Sequence, residues 1–125
     1  GITTLTLIQA VELARYGITA NAIAPSARTR MTEEVFAAMM QKPEDGFDEM
    51  APENISPLVV WLGSAESKDV TGRVFELAGG KISIADGWRQ GPEVDKGARW
   101  APDEVGTAVH DLCAKATPAQ KVYGA

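Results

Sequence analysis

The stretch Gly17-Ile18-Thr19-Ala20-Asn21-Ala22-Ile23-Ala24-Pro25 decides how this chain is read. It is short, small or apolar at almost every position, β-branched at Ile18, Thr19 and Ile23, and stopped by a proline. Such a run without polar alternation predicts a strand over 18–24 covered on both faces, as parallel sheets require. A second run opens at Val70, closes at Leu77 and is ended by Gly79-Gly80. Between them lie a predicted loop from Pro25 to Met31 and a short helix over 32–40. Thr32 is the expected cap of that helix, with Glu33 and Glu34 in its first turn and Val35, Phe36, Met39 and Met40 as an apolar stripe. A polar, acidic connection over 41–51, with Pro43 and Gly46, reads as mobile. A third helix runs from Pro52 to about Leu62; Pro57 either interrupts it or, with Ser56, starts it. Strand, helices, strand is a parallel crossover, right-handed by default. Two strands alone do not make a stable sheet, so the reading expects the rest of the sheet to lie elsewhere.

Upstream of this unit, residues 2–16 predict a helix closed by Tyr16-Gly17, with Gly17 in the left-handed capping position. Only Glu12 and Arg15 carry charge, and no capping box starts it. Leu5, Leu7, Ile8, Val11 and Leu13 cover most of its circumference, which predicts burial on nearly all sides. The remaining residues supply only part of that cover. The expectation is therefore the C-terminal portion of something larger, which by itself is not a compact monomer with one sharp melting transition. Downstream, Lys81 to Arg99 reads as a polar, glycine-rich tail. Trp88 and Trp100 are expected to pin it to a neighbouring surface. A last helix begins at Pro102-Asp103-Glu104, carries Val105, Ala108, Val109, Leu112 and Ala116 on one face, and stops at Thr117-Pro118. The organisation expected is residues 1–80 as one structural unit and 81–125 as an extension.

The formal net charge of −5 argues against non-specific nucleic-acid binding, which needs clustered cations. The longest apolar runs fall far short of the roughly 20 residues that span a bilayer, and no signal peptide is visible. The one cysteine, Cys113, excludes an internal disulfide, fits a reducing compartment such as the cytoplasm, and is expected to be packed. His110 is also alone, so no metal site is expected.

Several segments stand in a familiar order. They are Leu13-Ala14-Arg15-Tyr16-Gly17-Ile18-Thr19, Asn21-Ala22-Ile23-Ala24-Pro25, Thr29 and Met31, Pro52-Glu53-Asn54, Leu62-Gly63-Ser64, Val70-Thr71-Gly72 and Gly79-Gly80. Together they resemble the short-chain dehydrogenase/reductase family over the C-terminal half of its Rossmann-type, doubly wound parallel α/β domain. The runs from Ala24 to Thr32, Pro57 to Leu62 and Phe75 to Gly80 look like the branch of (3R)-hydroxyacyl-CoA and hydroxysteroid dehydrogenases.

The resemblance implies hydride transfer between NAD or NADP and a hydroxyl or keto substrate, 3-hydroxyacyl-CoA or a steroid-like molecule. It implies cofactor contacts at Pro25, Ser26, Ala27, Arg28 and Thr29, with the Thr29 hydroxyl donating to the carboxamide or a phosphate; the alternative reading of Thr29 is a helix-entry cap. Ser26 stands where the family usually has Gly, and Thr29 sits one position earlier than the usual hydroxyl residue. Arg28 and Arg30 read either as phosphate ligands or, more simply, as solvated charge. The helix over 32–40, with Phe36, Met39 and Met40, and Met31 just before it correspond to a substrate lid, whose methionines suit a deformable apolar surface; the alternative is plain core packing under a surface helix. No catalytic residue is assigned: Tyr16 is followed four residues on by Ala20, Tyr123 has two residues after it, and no G-x-x-x-G-x-G occurs. The chain alone is expected to be inactive. The family's use of its helices and last strand implies a homo-oligomer, through the helix from Ile2 to Ala14 and the strand from Val70 to Leu77. The competing reading is a non-catalytic module acting in oligomerisation. An upstream reading frame encoding the glycine-rich turn and Tyr-x-x-x-Lys, or a start codon near Gly1, separates the two.

Overall fold

The computed structural model describes residues 1–119; Tyr123 lies outside the described residues. The chain forms two compact units, Gly1–Asp86 and Gly87–Ala125.

The first unit is built on a three-stranded sheet, β1 (Ala22–Ser26), β2 (Val74–Ala78) and β3 (Lys81–Ile84), in the order β1-β2-β3. β1 and β2 run parallel, with Ala22 opposite Val74 and Ser26 opposite Ala78. β3 is antiparallel to β2 and pairs Ala78 with Lys81 across the Gly79-Gly80 turn. The expected parallel pair is present, but both strands begin later than the composition suggested. Ile18 to Asn21 and Val70 to Arg73 are consumed by the entry into the sheet. There the Asn21 side chain donates to the Val70 carbonyl (2.9 Å) and accepts from the Arg73 amide (3.1 Å). Gly72 turns the chain with φ +69° and donates to the Ala20 carbonyl at 2.8 Å. β1 also continues through Pro25 and Ser26, which had been read as loop. Pro25 is tolerated because β1 is an outer strand. For the same reason β1 is half-covered to exposed rather than buried on both faces. β3 was not anticipated, because its four residues sit in a polar tail and are all exposed.

The core is small. Leu58, Phe75 and Leu77 are buried together, with Ile23, Ile55, Leu62 and Val70 packed around them. Truncating such a residue to Ala typically costs about 2–5 kcal/mol. α3 (Ser56–Leu62) supplies Leu58, with Pro57 in its first turn; a 3₁₀ turn over Pro52–Asn54 precedes it. Ser56-Pro57 is thus a helix start and not an interruption.

α1 (Ile2–Leu13) is covered only in part by the rest of the chain, as its all-round apolar surface led us to expect. Its buried residues are Thr6 and Ala10, at 5% and 6% exposure, whereas Leu5, Leu7, Ile8 and Val11 are exposed. The face that packs is the one with small side chains. A Cβ at Gly72 would lie 3.4 Å from that of Ala10, so the helix and the sheet entry approach closely. Thr6 satisfies its buried hydroxyl on the Ile2 carbonyl at 2.8 Å. The end of the helix is as expected: a 3₁₀ turn over Ala14–Tyr16, then Gly17 at φ 70°, with Gly17 donating to Ala14 and Ile18 to Leu13.

In the second unit α4 (Pro102–Lys115) has the predicted start, and the Glu104 carboxylate accepts from the Ala101 amide and from Lys96. The Lys96 ammonium also lies 5.6 Å from the Trp100 ring centre. Trp88 is fully exposed, so it anchors nothing within the chain. Cys113 is exposed, contrary to the packed residue expected, because α4 buries none of its residues. No helix among the described residues is long and apolar enough to cross a membrane.

A core of this size beside an uncovered apolar helix face has a solution signature. Residues 1–125 are expected to bind the dye ANS and to elute from gel filtration at a concentration-dependent size. The double substitution Ile8→Glu, Val11→Lys on α1 should reduce both effects. A compact, dye-free monomer with a sharp calorimetric transition would contradict this.

Candidate functional site

The site grows out of the carboxyl end of β1. Pro25 and Ser26 are its last two residues, both exposed, and Ala27 to Thr29 carry the chain off the sheet edge. Thr29 is the N-cap of α2 (Arg30–Val35). The expected cap, Thr32, is instead the third residue of the helix, and the two threonines form a reciprocal capping box. The Thr32 amide donates to the Thr29 hydroxyl at 3.3 Å, and the Thr29 amide to the Thr32 hydroxyl at 2.8 Å. The two hydroxyl oxygens lie 3.2 Å apart.

α2 is shorter than predicted and stops at Val35. Phe36 leaves helical geometry (φ −124°, ψ 40°), and the Met39 and Met40 amides turn back onto its carbonyl. Met31, Phe36, Met39 and Met40 therefore do not share one helical stripe. Met31 and Met39 are exposed, Phe36 is about half-exposed, and Met40 turns inward and is buried.

Arg28 departs furthest from the sequence reading. It is neither solvated nor aimed outward. Its Nη1 and Nη2 donate to Asp48 Oδ2 and Oδ1 at 2.9 and 2.7 Å, and its Nε donates to the Met40 carbonyl at 2.6 Å. Its backbone amide donates to the Met50 carbonyl at 2.7 Å. The side chains of the pair are only 15% and 16% exposed. Asp48 Oδ1 also accepts from the Met50 amide, and Asn54 Nδ2 holds the Asp48 carbonyl at 2.8 Å. The acidic connection expected to be mobile is thus tied down from both sides. A Cβ placed on Gly79, whose φ is +58°, would lie 3.2 Å from Glu49, so the β2–β3 turn backs the same segment. Bidentate, charge-assisted hydrogen bonding is the strong form of this contact. It raises the Arg28 pKa and, chiefly through the Arg28 hydrogen bonds, lowers that of Asp48.

Asp48 is the residue sequence reasoning missed. Nothing in the pattern separates it from Glu44, Asp45 and Glu49 around it. Its role depends on the distance from Arg28 in space. Arg30 extends from the first position of α2 and is exposed. Tyr16, at the far end of β1's entry, has the Arg15 guanidinium 4.9 Å from its ring centre. Among the described residues no group of three or more His, Cys, Asp or Glu is placed to hold a metal ion.

A parallel strand pair with helices on its crossover, and a loop cluster at the strands' carboxyl ends, is the arrangement of a piece of an open, Rossmann-like α/β sheet. The comparisons with known proteins make this specific. The sequence is 34% identical over 125 aligned positions to the hydroxyacyl-CoA dehydrogenase ChsB1 of Mycobacterium tuberculosis, covering 96% of this chain and 38% of that protein. It is 42% identical over 80 residues to a peroxisomal hydratase-dehydrogenase-epimerase of Saccharomyces cerevisiae, covering 64% of this chain and 8% of that one. A crystal structure of a short chain dehydrogenase from Mycobacterium avium matches all of the chain and 39% of its own length, with 61% identity and a TM-score of 0.79. No family model matches the sequence. The chain belongs to the short-chain dehydrogenase/reductase family. It spans under two-fifths of the length of these relatives.

The Arg28–Asp48 geometry fixes a pH dependence. Asp48 has a folded pKa below its ordinary value of 3.8. Its contribution is therefore complete above that ordinary value and is lost as pH falls through the lowered one. NMR titration of the Asp48 carboxyl carbon should show its midpoint below 3.8, and Arg28→Ala should move it upward. An Asp48 midpoint at or above the ordinary value would refute the pairing.

Proposed function

We propose that this chain forms the nicotinamide-side wall and substrate lid of an NAD(P)-dependent dehydrogenase that interconverts a hydroxyl and a keto group, on 3-hydroxyacyl-CoA or a steroid-like substrate. The observation that carries the proposal is the position of Pro25 to Thr29, at the carboxyl edge of the parallel pair β1–β2 in a chain of this family. Open α/β sheets bind ligands at that edge. The name of ChsB1 supports the acyl-CoA class.

The chain's own groups divide the work. The nicotinamide, when bound, supplies the hydride chemistry. Pro25 gives a rigid strand end with no N–H of its own. Ser26 and Thr29 are exposed and offer hydroxyls toward the carboxamide or a phosphate, with Ala27 between the strand and the capping box. Arg28 contributes by shape, since its guanidinium is committed to Asp48 and Met40. The exposed Met31, Phe36 and Met39 face an apolar substrate chain, while Met40 underpins them. No residue here moves the reacting proton, because the sequence holds no Tyr-x-x-x-Lys. Residues 1–125 alone are inactive on this reading, and the working protein acts in the cytoplasm as a homo-oligomer.

The second reading, a non-catalytic module in oligomerisation, is favoured by the uncovered apolar face of α1. β2 is the middle strand, so any contact there uses its face; the free edge on that side belongs to β3.

Fluorescence titration of residues 1–125 with NADH should show no micromolar binding. The protein encoded by the complete reading frame should reduce acetoacetyl-CoA with NADH or NADPH. In it, Thr29→Ala should weaken nicotinamide binding by about 2- to 10-fold, the effect of one lost hydrogen bond. Micromolar binding by the chain alone, or no turnover by the complete protein, would overturn the proposal.

A further inference from the structure

We propose that Arg28 and Asp48 form a latch that seats the segment 36–50 over the carboxyl ends of β1 and β2, making Arg28 a positioning residue for the substrate side of the site. The inference deepens the dehydrogenase reading and rests on it for its functional half.

The argument is one of connectivity. Segment 36–50 leaves the site at Phe36 and returns at Met50 without entering the sheet. Most of its attachments converge on one residue, with Asn54 adding side-chain hydrogen bonds to the Asp48 and Glu49 carbonyls. Arg28 holds the Met40 carbonyl, both Asp48 oxygens and, through its own amide, the Met50 carbonyl. Arg28 lies immediately before Thr29, the cap of α2, and two residues after the end of β1. A single side chain thus links the wall at 25–29 to both halves of the lid segment. Phe36, Met39 and Met40 reach their places by way of this tie.

The planar fork of arginine is required, because three donors must meet three acceptors in fixed directions. A lysine at 28 supplies charge without that geometry. The charges around the pair are Lys42 on the segment, acting on Asp48, and Glu33 on α2 and Glu53 in the turn before α3, acting on Arg28. The β2–β3 turn backs the segment through Gly79 against Glu49, so displacement in that direction is blocked. Release of the latch therefore moves the segment outward, away from the strand ends.

Two measurements test this. Amide exchange in the complete protein should quicken by about tenfold or more over 36–50 in Asp48→Asn and Arg28→Lys. The β1–β2 ladder amides should keep their protection. Asp48→Glu, which retains the carboxylate, should recover part of the protection and serves if the first variants lose the ladder as well. Unchanged exchange over 36–50 in variants with an intact ladder overturns the latch. In the complete protein, Asp48→Asn should raise KM for acetoacetyl-CoA by about tenfold, with kcat and NADH affinity nearly unchanged. An equal loss of NADH affinity would assign Arg28 to the cofactor and overturn the positioning role. Absence of turnover in the unsubstituted protein would instead sink the dehydrogenase reading, and the exchange data would then decide the latch alone.

Discussion

The parallel pairing of β1 with β2 is the constraint on which the first unit depends. Parallel strands cannot be joined by a tight turn, so a long crossover must leave the end of one and return to the start of the other. Here that crossover holds α2, the segment 36–50 and α3. Both ends of the pair are therefore places where the chain must be redirected and held. At the entry, Asn21 uses its donor and its acceptor to lock the two strands' approaches at Val70 and Arg73. At the exit, Arg28 performs the corresponding task for the segment 36–50. The five-residue ladder lies between these two side-chain clasps.

The clasps differ in physical kind. Asn21 is neutral, and its amide replaces backbone partners at the sheet entry. Arg28 brings charge into a partly covered place, which is costly unless every donor is matched. Here each of its three nitrogens meets an acceptor, on the Met40 carbonyl or on Asp48. A charged tie differs from an apolar one in responding to pH and to single-atom changes. It also leaves Met31, Met39 and Phe36 uncommitted to the core, and so exposed.

Periodicity and punctuation carry the elements that rest on local chemistry. Gly17 at a helix end, Ser56-Pro57 at a helix start and Pro102-Asp103-Glu104 opening α4 are all readable, because capping is decided within four residues. The parallel pair is readable from its composition, although its register is not: Asn21 and Gly72 shift both strands toward their C-terminal ends, and this depends on partners about fifty residues away. β3 escapes because the alternation of Lys81-Ile82-Ser83-Ile84 is only four residues long and lies in an otherwise polar, glycine-rich stretch. At the candidate site, the resemblance points to the segment 25–29, which lies at the carboxyl end of β1. The capping box of Thr29 with Thr32 is local, but two threonines three apart allow either as cap. The Arg28–Asp48 pair is illegible, since one acid among several is selected by the fold alone.

In α1 composition shows that the chain leaves apolar surface uncovered, but not which face packs. The helix meets the sheet entry through Thr6 and Ala10. Close approach of a helix to the Gly72 turn needs small side chains, so the bulky ones are turned away from it. Apolar surface left facing water carries a cost of roughly 25 cal/mol per Å² relative to burial. A face with Leu5, Ile8 and Val11 adjacent is of the kind that marks an interaction surface. The small residues specify how α1 joins this unit. The large ones specify a second surface, which the same helix has the chemistry to engage without disturbing the first.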